Sequence, residues 1–337
     1  MLECGHAVGF GRARLRCPLG LCEDALVTEA HVPLLSVTIP TRGRAEHIRA
    51  CVESILACEG ASFELIVIDQ SDDQASEEAV GPLIGDGRLR YVRTATRGMC
   101  CARNVGIGLS HGEILVCTDD DCRASPGWLA RIRARFADDP ELSLLCGRVT
   151  VPRDLFPNVY RDGSFASAFD APLPTTTLET LSPHVCGISS NMSFRRALFE
   201  VIGGFDEALG VGGPLGSGSE PDFVFRALRA GLKVANDPDA LVLHLGVRSP
   251  AEVGPLWRRY YFGAGAAYGK HMRLGDLAAM RVFVRYLSTF GLPALRNLLR
   301  LRRPRGAATV LAMLRGVRGS FRFPVDRARR LYTIRHS

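Results

Sequence analysis

Long apolar runs are missing from this 337-residue chain, and lysine occurs only as Lys233 and Lys270. No stretch of eighteen apolar residues is free of charge, so an ordinary transmembrane helix is not expected. The start of the chain lacks the apolar segment of a secretory signal, because Arg12, Arg14 and Arg16 interrupt it. A hydrophobic content of 47% excludes a mainly disordered chain. The length allows two domains, or one large domain with an extension.

Cysteine is absent after residue 186 and occurs eleven times up to that point. An odd number, scattered through a chain of this length, does not match a disulfide framework and favours a reducing cytosol. Residues 1–32 show no periodicity and are interpreted as an N-terminal extension. Within it, a small zinc site is an alternative for the four potential ligands Cys4, His6, Cys17 and Cys22. These lack paired C-x-x-C spacing, so unligated thiols are preferred.

Segments of strand length alternate with segments of helix length from residue 35 onwards. Strands are expected at residues 35–40, 63–68, 89–92, 113–117 and 142–149. Helices are expected at residues 45–58, 75–84, 99–109 and 126–137. The strands are continuously apolar, which is typical of strands buried on both faces of a parallel sheet. The pattern predicts an α/β fold: a Rossmann-like, mostly parallel central sheet flanked by helices.

Polar residues follow three of these strands directly. They are Pro40-Thr41-Arg42, Asp69 and Asp119-Asp120-Asp121. A single Asp is more often a solvated loop residue, but ligands in such sheets bind beyond the carboxyl ends of the strands. The coincidence of three polar segments at one edge therefore predicts a binding site there.

The three adjacent carboxylates after the fourth strand raise one another's pKa unless a partner neutralises them. Their hard oxygen atoms suit Mg²⁺ or Mn²⁺, which would also hold the phosphates of a nucleotide diphosphate. The alternative is an acidic cap for the helix expected after Pro126. No G-x-x-x-x-G-K-[ST] segment is present, and no G-x-G-x-x-G follows the first strand. A P-loop nucleotidase and a dinucleotide dehydrogenase are therefore not supported.

Further segments complete a pattern that spans residues 34–247. They include Ser36 to Arg44, Ile66 to Ser71, Gly98 with Ala102 to Gly106, and Gly112 to Asp121. The later ones are Asn191 to Arg196, Gly203 to Glu207 and Ser219 to Phe223. In this order the segments resemble a family 2 glycosyltransferase of the GT-A fold, which uses nucleotide-diphospho-sugars. The resemblance is specific for the superfamily and not for a substrate.

The resemblance implies roles for individual residues. Pro40, Thr41, Arg42 and Asp69 match the region that holds the nucleotide, and Arg103 lies near the donor. Asp119 and Asp121 match the DxD carboxylates that bind metal and diphosphate, whereas Asp120 faces the donor sugar. His244 matches a histidine near the metal, although a lone histidine after an apolar run is equally well a buried core residue.

The acceptor side departs from the family pattern. Relatives often carry Glu-Asp-x-Asp, in which the first Asp is the base, whereas this chain reads Ser219-Glu220-Pro221-Asp222. Glu220 therefore takes the base position and Asp222 the downstream acid, and both are predicted to be catalytic. The alternative is that both only cap the helix starting near Phe223. The preceding glycine-rich segment, Gly210 to Gly218, is either a mobile lid or a surface connection.

Charge divides the chain into an acidic body and a basic C-terminal region. Residues 251–337 carry eighteen of the forty-two Lys and Arg residues but only three acidic residues, so their net charge is +15. The net charge of residues 1–250 is −8. Helices are expected at residues 251–274 and 277–302. A basic amphipathic region favours an anionic membrane surface, with packing on the catalytic domain as the alternative. Nucleic acid is the least favoured partner, because no nucleic-acid fold signature is present.

These observations predict a GT-A domain over residues 33–250, with a nucleotide-sugar half (33–150) and an acceptor half (151–250), followed by the basic helical region (251–337). The expected activity is metal-assisted, inverting transfer from a nucleotide-diphospho-sugar, with a UDP-sugar favoured, to a hydroxyl of a glycan, a lipid-linked glycan or a small molecule. We expect this activity to serve the synthesis of cell-envelope polysaccharide. The expected location is the cytoplasm, at the inner face of the cell membrane. The alternatives are a sugar-nucleotide nucleotidyltransferase and a catalytically silent membrane-associated scaffold.

Overall fold

The computed structural model describes residues 35–161, 164–170, 175–182, 186–304 and 306–334. The predicted extension over residues 1–32, with its potential zinc ligands, lies outside the described residues. The strands are β1 (Leu35–Thr41), β2 (Phe63–Asp69), β3 (Leu89–Arg93), β4 (Ile114–Cys117), β5 (Cys122–Ala124), β6 (Leu142–Thr150), β7 (Phe165–Ala166), β8 (Thr175–Thr176), β9 (Met192–Arg195), β10 (Lys233–His244), β11 (Val247–Arg248), β12 (Val325–Asp326) and β13 (Leu331–Tyr332). The helices are α1 (Ala45–Leu56), α2 (Ala75–Val80), α3 (Met99–Leu109), α4 (Trp128–Asp138), α5 (Arg196–Ile202), α6 (Ser219–Arg229), α7 (Pro250–Arg273), α8 (Leu277–Leu299) and α9 (Ala307–Gly319).

The predicted strands and helices of residues 35–150 are all present, with ends that differ by a few residues. The largest difference is in the second helix, which ends as an α-helix at Val80 and continues as a 3₁₀ turn over Gly81–Leu83. Pro82 explains the change, because proline has no N–H for an α-helical hydrogen bond.

The central sheet has the strand order β3-β2-β1-β4-β9-β6-β10-β5, with β8 paired to β10. Six strands, β1, β2, β3, β4, β6 and β10, run in one direction, so the prediction of a mostly parallel sheet is confirmed. The sheet is nevertheless mixed, because β9 lies between β4 and β6 and is antiparallel to both. The carboxyl ends of β1, β4 and β10 consequently meet at one edge.

One apolar core joins the sheet to the helices that follow residue 250. It contains Leu144 of β6, Phe223 of α6, Tyr268 of α7, Tyr286 of α8 and Met313 of α9. The basic C-terminal region is therefore packed along one face against the central sheet and α6. This bears out the packing alternative without excluding a function for the opposite face.

Helices α7 and α9 cross at very short range, and glycine makes this approach possible. A Cβ on Gly265 would lie 2.0 Å from the Met313 carbonyl oxygen, and one on Gly316 would lie 2.0 Å from that of Phe262. Either side chain would force the helices apart. Within the described part of the chain, no helix is both long and apolar enough to span a bilayer.

Candidate active site

A cavity of about 930 Å³ opens at the sheet edge where the sequence predicts a binding site. Eight of the predicted site residues line it: Pro40, Thr41, Arg42, Asp119, Asp120, Asp121, Glu220 and His244. They come from the ends of β1, β4 and β10 and from the first turn of α6. Asp69, Arg103 and Asp222 do not line it. The structure thus brings most of the predicted residues to one place.

The carboxylate cluster does not cap a helix, because the short strand β5 follows it and α4 begins only at Trp128. The buried Arg103 donates from Nη2 to Asp119 Oδ1 at 2.6 Å. Asp120 accepts from the Thr41 hydroxyl at 2.8 Å and from Arg44 at 2.7 Å. Burial raises the pKa of Asp120 to about 6 despite the neighbouring Arg44. The cluster is therefore held by two guanidinium groups.

Asp121 and His244 form the part of the cluster that fits a divalent cation. Their ligand atoms and the Cys122 thiol lie within 4.8 Å of one another. Asp121 Oδ1 and His244 Nδ1 are buried without a hydrogen-bond partner, and an unpaired buried polar atom is costly. Carboxylate and imidazole suit Mn²⁺, whereas burial raises the pKa of Cys122 and keeps that thiol protonated. The donor set therefore fits a metal, which Asp121 and His244 would hold.

Asp69 lies beneath the cavity wall rather than in it. Its side chain is buried, and its two oxygens accept from the Tyr91 hydroxyl at 2.7 Å and the Ser71 amide at 2.8 Å. The next residue, Gln70, is the one that lines the cavity. The sequence-based role of Asp69 in nucleotide binding stays a prediction, and Gln70 is the residue of this turn that a ligand reaches directly.

Glu220 stands in the first turn of α6 and faces the cavity. Its carboxylate accepts from the hydroxyls of Ser189 and Ser219, the latter at 2.8 Å. The residue that precedes the helix, Gly218, has a φ of +92°, a conformation that favours glycine. A helix N-terminus favours a negatively charged group, and the two serine hydroxyls hold the carboxylate of Glu220 in a fixed direction.

Asp222 points the other way, and its predicted catalytic role does not fit the structure. Its side chain is 1% exposed and contacts Lys270 at 2.7 Å, Arg226 at 2.8 Å and His271 at 2.9 Å. Burial alone would raise the pKa of Asp222, but Lys270 and Arg226 outweigh it and hold that pKa far below its usual range. Asp206 contacts Lys270 at 2.6 Å from the opposite side. Asp222 is part of this buried ion network between α6 and α7.

Sequence reasoning missed an aromatic wall of the cavity. Trp257, Tyr260 and Tyr261 of α7 line it together with Phe165. The Trp257 ring is stacked on Tyr261 at 5.5 Å between centroids and packs against Phe165 at 5.0 Å. The sequence places these aromatics in the basic region, and only the packing of α7 beside α6 brings them to the cavity.

The glycine-rich segment Gly210 to Gly218 is packed between α3 and α7. The Met99 amide donates to the Val211 carbonyl at 2.8 Å, and a Cβ on Gly212 would lie 2.9 Å from Gly98 Cα. A Cβ on Gly218 would lie 2.4 Å from the Gly263 carbonyl oxygen. These glycines allow the segment to approach both helices closely and to form one wall of the cavity.

Comparison with known proteins decides the family. The chain is similar to the pre-mycofactocin glycosyltransferase of Mycobacterium tuberculosis, with 26% identity over 62% of this chain and 42% of that protein. It is also similar to the succinoglycan biosynthesis protein ExoO of Rhizobium meliloti, with 30% identity over 62% of this chain and 60% of that protein. The family model "Glycosyl transferase family 2" matches residues 36–203. The chain belongs to this family. Membership agrees with the resemblance seen in the sequence motifs.

Solved structures show that this family 2 chain has the GT-A fold. The mannosyltransferase PcManGT of Pyrobaculum calidifontis, in complex with GDP-Man and Mn²⁺, superposes with a TM-score of 0.57 at 18% identity, covering 86% of this chain and 88% of that one. TarS of S. aureus, residues 1–349 in complex with UDP-GlcNAc, superposes with a TM-score of 0.54 at 17% identity, covering 87% of this chain and 95% of that one. This family 2 chain spans less than two thirds of the length of the curated relatives named above.

The metal site leads to a direct prediction. We expect Asp121→Asn to weaken Mn²⁺ binding by about 100-fold or more, because replacing even a residue that only supports a ligand costs about 10–100-fold. Calorimetric titration of Mn²⁺ measures the affinity, and Asp73→Asn, an exposed carboxylate outside the cavity, is the matched control. Equal affinities for Asp121→Asn and the unaltered protein would contradict the assignment.

Proposed function

We propose that this protein is an inverting glycosyltransferase that moves a sugar from a nucleotide-diphospho-sugar to a hydroxyl acceptor. The observation that carries the proposal is one cavity that contains both Glu220 and the Asp121–His244 pair. A base and an anion-stabilising group in one cavity are what displacement at an anomeric carbon needs. The intact carboxylate cluster argues against a silent scaffold, and family membership argues against nucleotidyl transfer.

In the proposed reaction, the Glu220 carboxylate accepts the proton of the acceptor hydroxyl. That oxygen forms a new bond to the anomeric carbon, while the bond from this carbon to the diphosphate oxygen breaks on the opposite face. The pair of electrons leaves with the nucleoside diphosphate, and the configuration inverts. A divalent cation held by Asp121 and His244, with Asp119 close by, would neutralise the charge that develops on the diphosphate.

Ser189 and Ser219 fix the base in place before the acceptor arrives. Both hydroxyls donate to the carboxylate of Glu220, so its direction is set by hydrogen bonds rather than by chance rotation. Positioning of this kind supplies a large part of the rate in a two-substrate reaction. On the donor side, Pro40, Thr41, Arg42 and Gln70 form the wall that the nucleotide would contact.

The aromatic wall supports a glycan, either free or lipid-linked, as the acceptor. Trp257 and Tyr261 offer stacked ring faces on the side of the cavity formed by α7, and a sugar ring can pack its apolar face on such a surface. The name of the relative ExoO, a succinoglycan biosynthesis protein, supports a polysaccharide product. Synthesis of cell-envelope polysaccharide is therefore the process that we propose.

The donor is tested with a panel of sugar nucleotides. Release of the nucleoside diphosphate from UDP-, GDP- and dTDP-sugars is measured with and without Mn²⁺, and with oligosaccharide acceptors. Metal-dependent release from one donor, with a UDP-sugar as the proposed case, is the expected result. Absence of release from every donor in the presence of Mn²⁺ and acceptor would contradict the proposed function.

A second proposal concerns the exposed face of α8 and α9. Residues 277–325 contain ten arginines and no acid. Large apolar side chains project into solvent along the same helices and the connection between them: Leu277, Met280, Val284, Leu292, Leu295, Leu298, Leu299, Leu301, Leu311 and Leu314. Leucines beside arginines are the composition of a surface that lies in the headgroup layer of an anionic membrane.

We propose that this face, residues 277–322, binds the inner surface of the cell membrane from the cytoplasm. The seven buried cysteines from Cys51 to Cys146 are free thiols, in keeping with a reducing compartment. Binding there would place the cavity near lipid-linked acceptors. The opposite faces of both helices belong to the core, so removing the region would damage the fold, and substitutions are the better test.

For the membrane face we expect Leu299→Glu combined with Leu301→Glu to lower the affinity for anionic vesicles about tenfold or more. Each new carboxylate is repelled by the lipid surface by about 1 kcal/mol, and two exposed leucines are lost from the contact. Co-sedimentation with phosphatidylglycerol vesicles measures the effect, with Val201→Glu, an exposed valine on α5, as the control. Equal binding to neutral vesicles, or no binding to anionic vesicles, would contradict the proposal. The face would then be an ordinary solvent-exposed helix surface.

A further inference from the structure

Arg44 occupies an unusual position between two carboxylates of the cluster. Its Nη1 atom lies 2.7 Å from Asp120 Oδ1 and 2.9 Å from Asp121 Oδ2, so one nitrogen bridges both acids. Arg44 follows β1 at the start of α1, and its side chain is 29% exposed and lines the cavity. The guanidinium therefore pairs with buried acids while one side of it remains open to a ligand.

The cluster needs this positive charge as long as nothing else neutralises it. Asp120 and Asp121 are 4% and 3% exposed, and a buried carboxylate without a positive partner is costly. The guanidinium group of Arg103 pairs with Asp119, whereas that of Arg44 pairs with Asp120 and Asp121. Arg44 thus supplies the positive charge that the second and third carboxylates require.

Arg44 and a divalent cation would compete for Asp121. One oxygen of that carboxylate holds Arg44, and the other, Oδ1, is the buried unpartnered atom next to His244. Two cations on one carboxylate repel each other at a separation of a few ångströms. A diphosphate offers the guanidinium a second partner, because the planar fork of arginine matches phosphate oxygens well.

We propose that Arg44 couples cation binding to nucleotide binding. In the free protein it neutralises Asp121 and keeps the affinity for the cation alone low. When a nucleoside diphosphate is present, Arg44 turns from Asp121 to the phosphates and releases the carboxylate. The inference rests on the proposed function, since the diphosphate is that of the sugar donor. Such coupling is reciprocal, so each ligand would strengthen binding of the other by the same factor.

The test measures Mn²⁺ binding without any nucleotide. We expect Arg44→Met to bind Mn²⁺ more tightly than the unaltered protein, within the range of about 5- to 150-fold that is usual for couplings between sites. Free Mn²⁺ is followed by electron paramagnetic resonance during the titration. Arg49→Met, an exposed arginine on the same helix that pairs with Glu53, is the matched control and is expected to leave the affinity unchanged. Arg44→Lys keeps the charge without the fork and is expected to lie in between.

A second measurement follows the nucleotide. UDP and GDP are titrated calorimetrically at zero and at saturating Mn²⁺, after correction for Mn²⁺ bound by the nucleotide itself. The gain in affinity caused by Mn²⁺ is expected to shrink in Arg44→Met. Equal or weaker Mn²⁺ binding by Arg44→Met, or an unchanged gain, would overturn the inference. Neither measurement involves sugar transfer, so a protein that shows the coupling but transfers no sugar would contradict the proposed function alone.

Discussion

Replacing Glu220 by Gln is expected to lower turnover by about 10²–10⁴-fold, the usual contribution of a general base. The amide keeps the size of the side chain, and it can accept from one of the two serine hydroxyls through its oxygen and donate to the other through its nitrogen. It cannot take the proton of the acceptor hydroxyl. Donor binding should change little, because it depends on the other side of the cavity. Steady-state transfer assays and calorimetric titration of the donor separate the two effects.

Two further variants sharpen this experiment. Glu220→Asp keeps a carboxylate that is one methylene shorter, so it should retain more activity than Glu220→Gln. Glu200→Gln, an exposed glutamate on α5, controls for loss of a surface charge and should leave turnover near that of the unaltered protein. Turnover of Glu220→Gln within a factor of a few of the control would mean that another group removes the proton.

For Asp222→Asn the expected result is a loss of about 3–5 kcal/mol in the free energy of unfolding, because it removes the partner of buried charges. Lys270 and Arg226 would remain in an apolar core, with Asp206 as the remaining carboxylate contacting Lys270. Urea denaturation measures the change. Asp239→Asn removes an exposed carboxylate that contacts Arg131 at 3.3 Å, and it should cost less than about 1 kcal/mol.

The same variant decides between the structural and the catalytic interpretation of Asp222. Activity of the folded fraction should be largely retained, because the side chain does not reach the cavity. A protein of normal stability that has lost turnover would show that Asp222 acts in the reaction, as the sequence pattern alone suggests.

The first half of the fold was predictable because its signals are local. Each of β1, β2 and β4 is a short apolar segment ended by polar residues, and a parallel sheet brings such ends to one edge. The strand ends therefore predict that the Asp119–Asp121 cluster lies beside Thr41, and the hydrogen bond from Thr41 to Asp120 confirms this. The insertion of β9 between β4 and β6 could not be foreseen, since strand order depends on pairing across many residues.

Glu220 and Asp222 show where a sequence motif becomes ambiguous. Both lie in the first turn of α6, and both match acids of the family pattern. Residues two apart on a helix do not face the same side, so one of the pair must point away from any site that the other reaches. Only the packing of α7, which carries Lys270 and His271, shows that Asp222 is the one directed inward.

The sequence by itself determined the family, the edge of the sheet at which the cavity lies and most of the predicted residues that line this cavity. These follow from apolar runs, strand ends and motifs, all of which are properties of neighbouring residues. Tertiary structure alone decided the surroundings of Arg44, Asp222 and Trp257. Each depends on which distant side chain becomes its neighbour, and that is set by the packing of α1, α6 and α7 against the sheet rather than by local sequence.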